Sequence, residues 1–496
     1  MNIESNKQTT NRPKTKDLPP KKRRRLAVKV LSKNSNVSQL SREHGVSRKF
    51  LYQNAQRADK ALEQAYEKHP NTDEKVLFYL PITKTFICQF VLALLFYCHA
   101  SFRGIQSLLC DVFDYSISLG SIHNIVRNVT SKAHELNEQP DLSTISTCAH
   151  DEIFQAGRPV LAGVDAQSTY CYLLAQVDNR DETTWGVHLL ELEDKGLNPD
   201  KVIADFGKGL RAGHKLAWSE IPCWGDIFHP LMDMNKLVRF LEGRHAKAEK
   251  ELFKLELKME QKKSDGRKLS RKLGQARKKE EKARHTHEVV SILASWTQHD
   301  LFGLHGSSHK ERDKLYDFVV DSLKEVESNC EYRIRPVRRL LENNKQELLY
   351  FVQEVDEKLQ KVAKQWEVDM DVVYDLSQTL SYSEEQTRRW FREARHYEKY
   401  GEKYEAILLD IEATMSSVIR ASSLVENFNS RLRNYFFLRR TLGKEYLCLL
   451  QFFLNHQRYV RSHRPERVGK SPRELLTGEP HAHWLELLGF QRFKRP

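Results

Sequence analysis

Eight cysteines are spread through the 496 residues with no CxxC pair and no regular spacing. That pattern argues against a disulfide framework or a zinc ribbon and for a reducing compartment. The sequence also has no uninterrupted apolar run of about 18 residues, the length a bilayer span needs. The nearest candidate, Phe86 to Cys98, is too short and reads as a buried helix. The first residues are polar and basic, without the apolar stretch of a secretory signal. Acidic excess is absent too, the formal charge being +13. At this length roughly two to four domains are expected, each with its own core.

The positive charge is unevenly placed. Met1 to Phe50 holds 14 Lys or Arg against 3 acids, and Arg431 to Lys470 holds 10 against 2. These segments contribute +11 and +8, so the rest of the chain sums to 13 − 19 = −6. Charge concentrated in this way suits a phosphate backbone, whose neutralisation releases counterions. A solvated basic surface has the same composition.

Residues 1–29, with PPKKRRR at Pro19 to Arg25, lack hydrophobic periodicity and read as a disordered basic arm. In residues 30–66, Val37, Leu40, Val46, Phe50 and Leu51 form the inward face of two short helices, with Gly45 at the turn and Ser47 as a cap. Arg48, Lys49, Tyr52 and Gln53 then point outward. This is the layout of a DNA-binding helix-turn-helix, with a plain helical hairpin as the alternative. Residues 75–140 hold a second helical region, with a Ser118 cap before a helix bearing His123, Asn124 and Arg127; it reads as a similar unit or a connector.

From 144 to 235 the pattern turns to strands. Three short β-rich runs separated by tight turns, a helix from Asp181 to Leu197, and a strand ending on Asp205 make the opening of a ribonuclease-H-like fold. Residues 236–415 are almost all helix-forming and read as an inserted all-α domain. In it Leu252, Leu255 and Met259 are answered by Leu269, Leu273 and Ala276 across the turn Ser264-Asp265-Gly266, as in an antiparallel coiled hairpin. Trp366 and Trp390 in this block suit core packing better than stacking on an unpaired base. Residues 416–496 return to the core with the helix SLVENFNSRLR and a basic tail.

Three acids line up on this scheme: Asp151 in the middle of the first strand, Asp205 at the end of the fourth, and Glu426 on the returning helix. Asp165 competes for the first place, but three strands must precede the helix, so Asp165 falls at the end of the second strand, and Glu152 faces away from Asp151. Carboxylates suit Mg²⁺ or Mn²⁺, and two ions roughly 4 Å apart serve phosphodiester chemistry. Cys223 and His229 in CWGDIFHP are two zinc-type ligands with no second pair; a strand with His229 near the acids fits better.

The segments HDEIFQAGRPVLAGVDAQSTYCYLLAQ, VIADFGKGL, SLVENFNSRLRNYF and NHQRYVRSHRPERVGKSPRELL, in this order and spacing, resemble the DDE transposases of bacterial insertion sequences and the related retroviral integrases. The resemblance covers the larger part of the chain. It implies an α/β ribonuclease-H-like core with a mixed five-stranded sheet, a large all-α insertion and a preceding all-α DNA-binding region. It further implies that Asp151, Asp205 and Glu426 hold two Mg²⁺ or Mn²⁺ ions, and that the partners are double-stranded DNA, both element ends and target. A homodimer or larger synaptic assembly and a cytoplasmic, nucleoid-associated location follow from the same likeness. Glu426, Ser430 and Arg433 fall on one helix face, so the acid can serve metal while Arg433 serves phosphate. Arg420, Arg431, Arg439 and Arg440 are expected further DNA contacts. The long insertion between the second and third acids departs from the compact integrases.

Overall fold

The computed structural model describes residues 18–66, 77–78, 80–261, 266–383, 385–420, 423–437, 443–462 and 464–493. Two compact units lie within Met1–Pro81 and Ile82–Lys494. Among the described residues no helix is long and apolar enough to cross a membrane.

The first unit is built of α1 (Pro20–Leu31), α2 (Val37–Glu43) and α3 (Arg48–Tyr66). Leu18, Leu26, Leu40, Val46 and Leu51 form its core, with Val30, Val37 and Phe50 packed against it. Asn36 caps α2 by accepting from the Ser38 N–H at 2.9 Å, and Ser47 accepts from the Phe50 N–H at 3.1 Å. Gly45 between them has φ +63°, which a residue without Cβ takes without strain. Arg48, Lys49, Tyr52 and Gln53 are all exposed. The expected disordered arm needs correction, because residues 20–29 are helical. Leu26 and Val30, one turn apart, give α1 an apolar side, and α2 and α3 alone are too small to close a core. Residues 1–17 of that arm lie outside the described residues.

The second unit begins with α4 (Lys84–Tyr97), α5 (Phe102–Phe113) and α6 (Leu119–Asn137), the last capped by Ser118. Then follow β1 (Thr147–Gln155), β2 (Arg158–Asp165), β3 (Cys171–Gln176), α7 (Glu182–Asp194), β4 (Lys201–Ala204), α8 (Lys208–Ala217) and β5 (Cys223–Gly225). The helical block comprises α9 (Phe228–Gln261), α10 (Gly266–Trp296), α11 (His309–Glu327), α12 (Glu331–Asn343), α13 (Lys345–Trp366), α14 (Met370–Leu380), α15 (Thr387–Tyr400) and α16 (Lys403–Ser417). It is followed by α17 (Ser423–Phe436) and α18 (Lys444–His456).

The strands form one mixed sheet in the order β3-β2-β1-β4-β5. β1, β2 and β3 pair antiparallel, while β4 lies parallel to β1 and β5 parallel to β4. The β1–β2 turn is the pair Ala156-Gly157, both at positive φ, which matches the twist of a two-residue hairpin loop. One sheet face, through Ala149, Ile153, Val160 and Ala162, packs on α4–α6, α17 and α18. Residues 84–137 therefore share the core of the sheet rather than forming a body of their own. The opposite face, through Cys148, Leu161, Tyr172 and Val202, packs on α7 and α8.

The helical block makes a core of its own that takes in Ile203 of β4. It is fastened to the β4–β5 edge by Trp224 stacked on Tyr350 at 4.8 Å, by Arg211 paired with Glu347 at 3.0 Å, and by a Lys201–Glu354 ion pair. α9 and α10 form the expected antiparallel hairpin, laced by Lys279–Glu251 at 2.7 Å and Arg277–Glu256 at 3.2 Å. Its turn residues 262–265 lie outside the described residues. Trp366 packs against the block's core and donates to Asp410. Trp390 does not: α15 buries only His396, and Trp390 is 62% exposed, which corrects the expectation of core packing for it.

α7 and α8 approach closely at glycines. A Cβ on Gly213 would stand 2.5 Å from the Trp185 Cβ and 2.8 Å from the Glu182 carbonyl. Gly213→Ala should therefore force the helices apart and cost about 1–3 kcal/mol, seen as a lower urea midpoint with unchanged slope.

Candidate metal centre

Asp151 stands in the middle of β1, opposite Ala162 of β2, and Asp205 directly follows the last residue of β4. β1 and β4 are parallel, with His150 opposite Ala204, so the next residue on each brings the two carboxylates side by side. Alternation along β1 turns Asp151 toward the face covered by α17 and Glu152 toward the other. The Glu152 carboxylate accepts from Trp185 Nε1 at 2.9 Å and Arg180 Nη1 at 2.8 Å. The rival acid Asp165 is spent on its own turn: it accepts from Ser168 Oγ at 2.5 Å and from the backbone N–H groups of Ser168 and Gln167.

β5 delivers a third group. Asp226, fully buried just past the strand, donates its N–H to the Ala204 carbonyl at 2.9 Å. Its carboxylate accepts from the Phe228 N–H at 3.0 Å and pairs with His229 Nδ1 at 2.9 Å. His229 is thereby fixed on the first turn of α9. One ligand atom each from Asp151, Asp205 and His229 lie within 4.8 Å of one another, and this trio could hold a metal ion.

α17 crosses the same face. Val425, Phe428 and Leu432 hold it in the core, and buried Asn429 donates from Nδ2 to Asp151 Oδ2 at 2.6 Å. Glu426 stands one turn before Asn429, with its side chain outside the described residues. Helical periodicity sets Glu426, Asn429 and Arg433 along one flank of α17. Arg433 is exposed, and Arg431 is half-buried with Nη2 donating to Gln457 at 3.3 Å. Arg420 is half-buried and donates to the Phe302 carbonyl. Arg439 and Arg440 lie outside the described residues.

The hydrogen bond to Asp226 pushes His229 up to about 9, against the opposing effect of burial; the charges of Asp226, Asp151 and Asp205 add to the rise. Protonated, it balances the neighbouring carboxylates; deprotonated, its imidazole is a metal ligand. Cys223 is not in the trio, and burial pushes its thiol up to about 11, away from the thiolate that zinc prefers. The donor set is instead two carboxylates and an imidazole beside Asn429, whose buried amide oxygen has no partner among the described residues. Carboxylate oxygens and a neutral imidazole nitrogen are both ligand types for divalent metal ions.

The structure brings together Asp151 and Asp205, which sequence reasoning singled out, and His229, which it set near them. It missed Asp226 and Asn429. For Asp226 a signal was present, an Asx residue after a short strand and three residues before a histidine at a helix start, where it both caps the helix and orients the ring. Asn429 is marked only by its one-turn spacing from Glu426. No protein-family profile matches the chain, and no curated protein sequence matches it.

Proposed function

We propose that this chain is a DNA transposase with a ribonuclease-H-like core, acting by metal-dependent strand cleavage and strand transfer. The observation that carries the reading is the convergence of Asp151 and Asp205 with the flank of α17, far along the chain, on which Glu426 stands. Antiparallel first strands, a parallel β4 at the β1 edge and acids at these two places match what that core requires. A bound Mg²⁺ or Mn²⁺ supplies charge stabilisation at the scissile phosphate and activation of the attacking oxygen.

Each remaining part has a task that its position supports. Asp151 and Asp205 hold the cation, with Asn429 orienting Asp151 and Asp226 orienting His229. Arg433 on the α17 flank meets the DNA backbone. Outward Arg48, Lys49, Tyr52 and Gln53 of α3 face base edges and phosphates of the element's terminal repeats. Hydrolysis at an element end frees a 3′ hydroxyl, which then attacks a target phosphodiester in line, so no covalent enzyme intermediate is needed. Joining two ends calls for at least a dimer.

The test is incubation of the full chain with labelled duplexes carrying the DNA that flanks its gene, in Mg²⁺ and in Mn²⁺. A nick at one boundary, suppressed by EDTA, is the expected result. Binding without a nick in both metals, with paired ends supplied, defeats the reading in favour of a non-cutting DNA binder.

A further inference from the structure

A cleft of about 1270 Å³ begins at Ile227 and Phe228, immediately beside His229, and runs along the first turns of α9. Its other walls are the 298–305 segment, the end of α14 at Ser381 and the stretch from α16 to Arg420. The volume exceeds the roughly 300–1,000 Å³ of a small-molecule site, so a polymer segment fits it better than a cofactor.

Its chemistry is two-sided. The charged side chains lining it, Lys236, Arg239, Arg420 and Arg464, are all cationic, and no carboxylate lines it among the described residues. Lys236 also pairs with Asp233 at 3.0 Å, an exposed contact that competes weakly. The same lining includes apolar Phe228, Leu231, Leu304 and Ile419, which give the cleft an apolar floor beside its cations. A site for a free anion has no use for such a floor. A duplex presents phosphates outward and keeps its base faces stacked, so it would leave the floor unfilled. An unpaired strand offers both, phosphates for the cations and open base faces for the apolar surface.

We infer that this cleft takes an unpaired segment of the nucleic-acid strand next to the scissile phosphate. The inference rests on the transposase reading for its biological substrate, but the binding it describes is measurable alone. α9 joins the two, because the helix that carries His229 at its start also carries Lys236 and Arg239 along the cleft.

The experiment measures anisotropy of a labelled oligothymidylate of about 12 nucleotides, a length within single-strand site sizes, and of a duplex, on the full chain. Lys236→Glu with Arg239→Glu should weaken the oligothymidylate at least tenfold. It should also flatten its log–log salt slope by about 1.4, for two lost phosphate contacts, while duplex affinity stays within about twofold. Lys236→Gln with Arg239→Gln, which removes the two charges without reversing them, should weaken the oligothymidylate too, and it decides the matter if the double glutamate variant does not fold. Unchanged oligothymidylate affinity, or equal loss for the duplex, overturns the inference. A native chain that nicks no DNA yet shows the single-strand effect would leave the cleft standing and remove the transposase reading; nicking without that effect would do the reverse.

Discussion

Asp205→Asn should fold and bind DNA like the native chain and cleave it at least about 10³-fold more slowly, the scale of losing one preorganised charge at a reacting centre. Asparagine preserves shape. Asp205 Oδ1 accepts from the Gly207 N–H at 2.9 Å, and Arg211 Nε donates to the Asp205 carbonyl at 2.8 Å, two bonds that an amide side chain keeps. The turn into α8 is then intact, and what disappears is the negative charge on one side of the trio. Asn429→Ala, which only releases Asp151, should cost less, about 10–100-fold, as outer-shell partners do. Nicking rate, gel-shift affinity and urea midpoint measured together separate charge from fold. An Asp205→Asn rate within tenfold of native would remove the carboxylate from the chemistry.

Acid should unfold the second unit well before most of its carboxylates titrate. Burial holds His150 down to about 3 and His214 to about 4, with the charges of His214 and Arg211 respectively adding to the effect. Burial likewise holds His456 to about 3, against its bond to the Phe452 carbonyl. His456 Nδ1 donates to that carbonyl at 2.7 Å while Nε2 accepts from Arg473 at 3.2 Å, a pairing that needs the neutral ring. His150 lies among Trp185, Trp218 and Tyr172. In the unfolded chain each ring takes its proton near pH 6.5, and in the folded chain only near pH 3–4. The stability they contribute is therefore complete above pH 6.5 and drains away as pH falls toward the folded values. At pH 5 each costs about 2 kcal/mol, and the three together about 6, which is comparable with the whole stability of an ordinary domain. His229 runs the other way, its contribution being full below pH 6.5 and lost on rising through about 9, so it offsets little between pH 7 and 5. Urea midpoints at pH 7, 6 and 5 check this, with His214→Phe removing about a third of the slope. Equal midpoints at pH 7 and 5 would show that these rings charge without loss of fold.

The sheet was legible because its strands are bounded by turn residues and its acids occupy places fixed by period-two alternation. That alternation alone put Glu152 on the face away from Asp151, where Trp185 and Arg180 hold it. Asp165 was separable from Asp151 by counting strands before α7, and its bonds to Ser168 agree. What escaped depends on contacts remote in sequence. α1 hides its apolar side among six basic residues, so composition masked Leu26 and Val30. Asn429 gains its role only when α17 lies on β1, and no local pattern announces an amide aimed at a carboxylate. The helical block was recognised as helical, but its seat on β4 and β5 rests on Trp224 meeting Tyr350 and Arg211 meeting Glu347, pairs more than a hundred positions apart.

α9 runs unbroken for 34 residues, a rod of about 50 Å. His229 sits at one end of it and the hairpin turn at the other. The ion pairs to α10 stiffen the shaft, and Asp226 acts as the pin at its base. Met234, Leu237 and Leu241 seat the near half of the rod in the core of the helical block, so a load on its far half is borne by that core before it reaches His229.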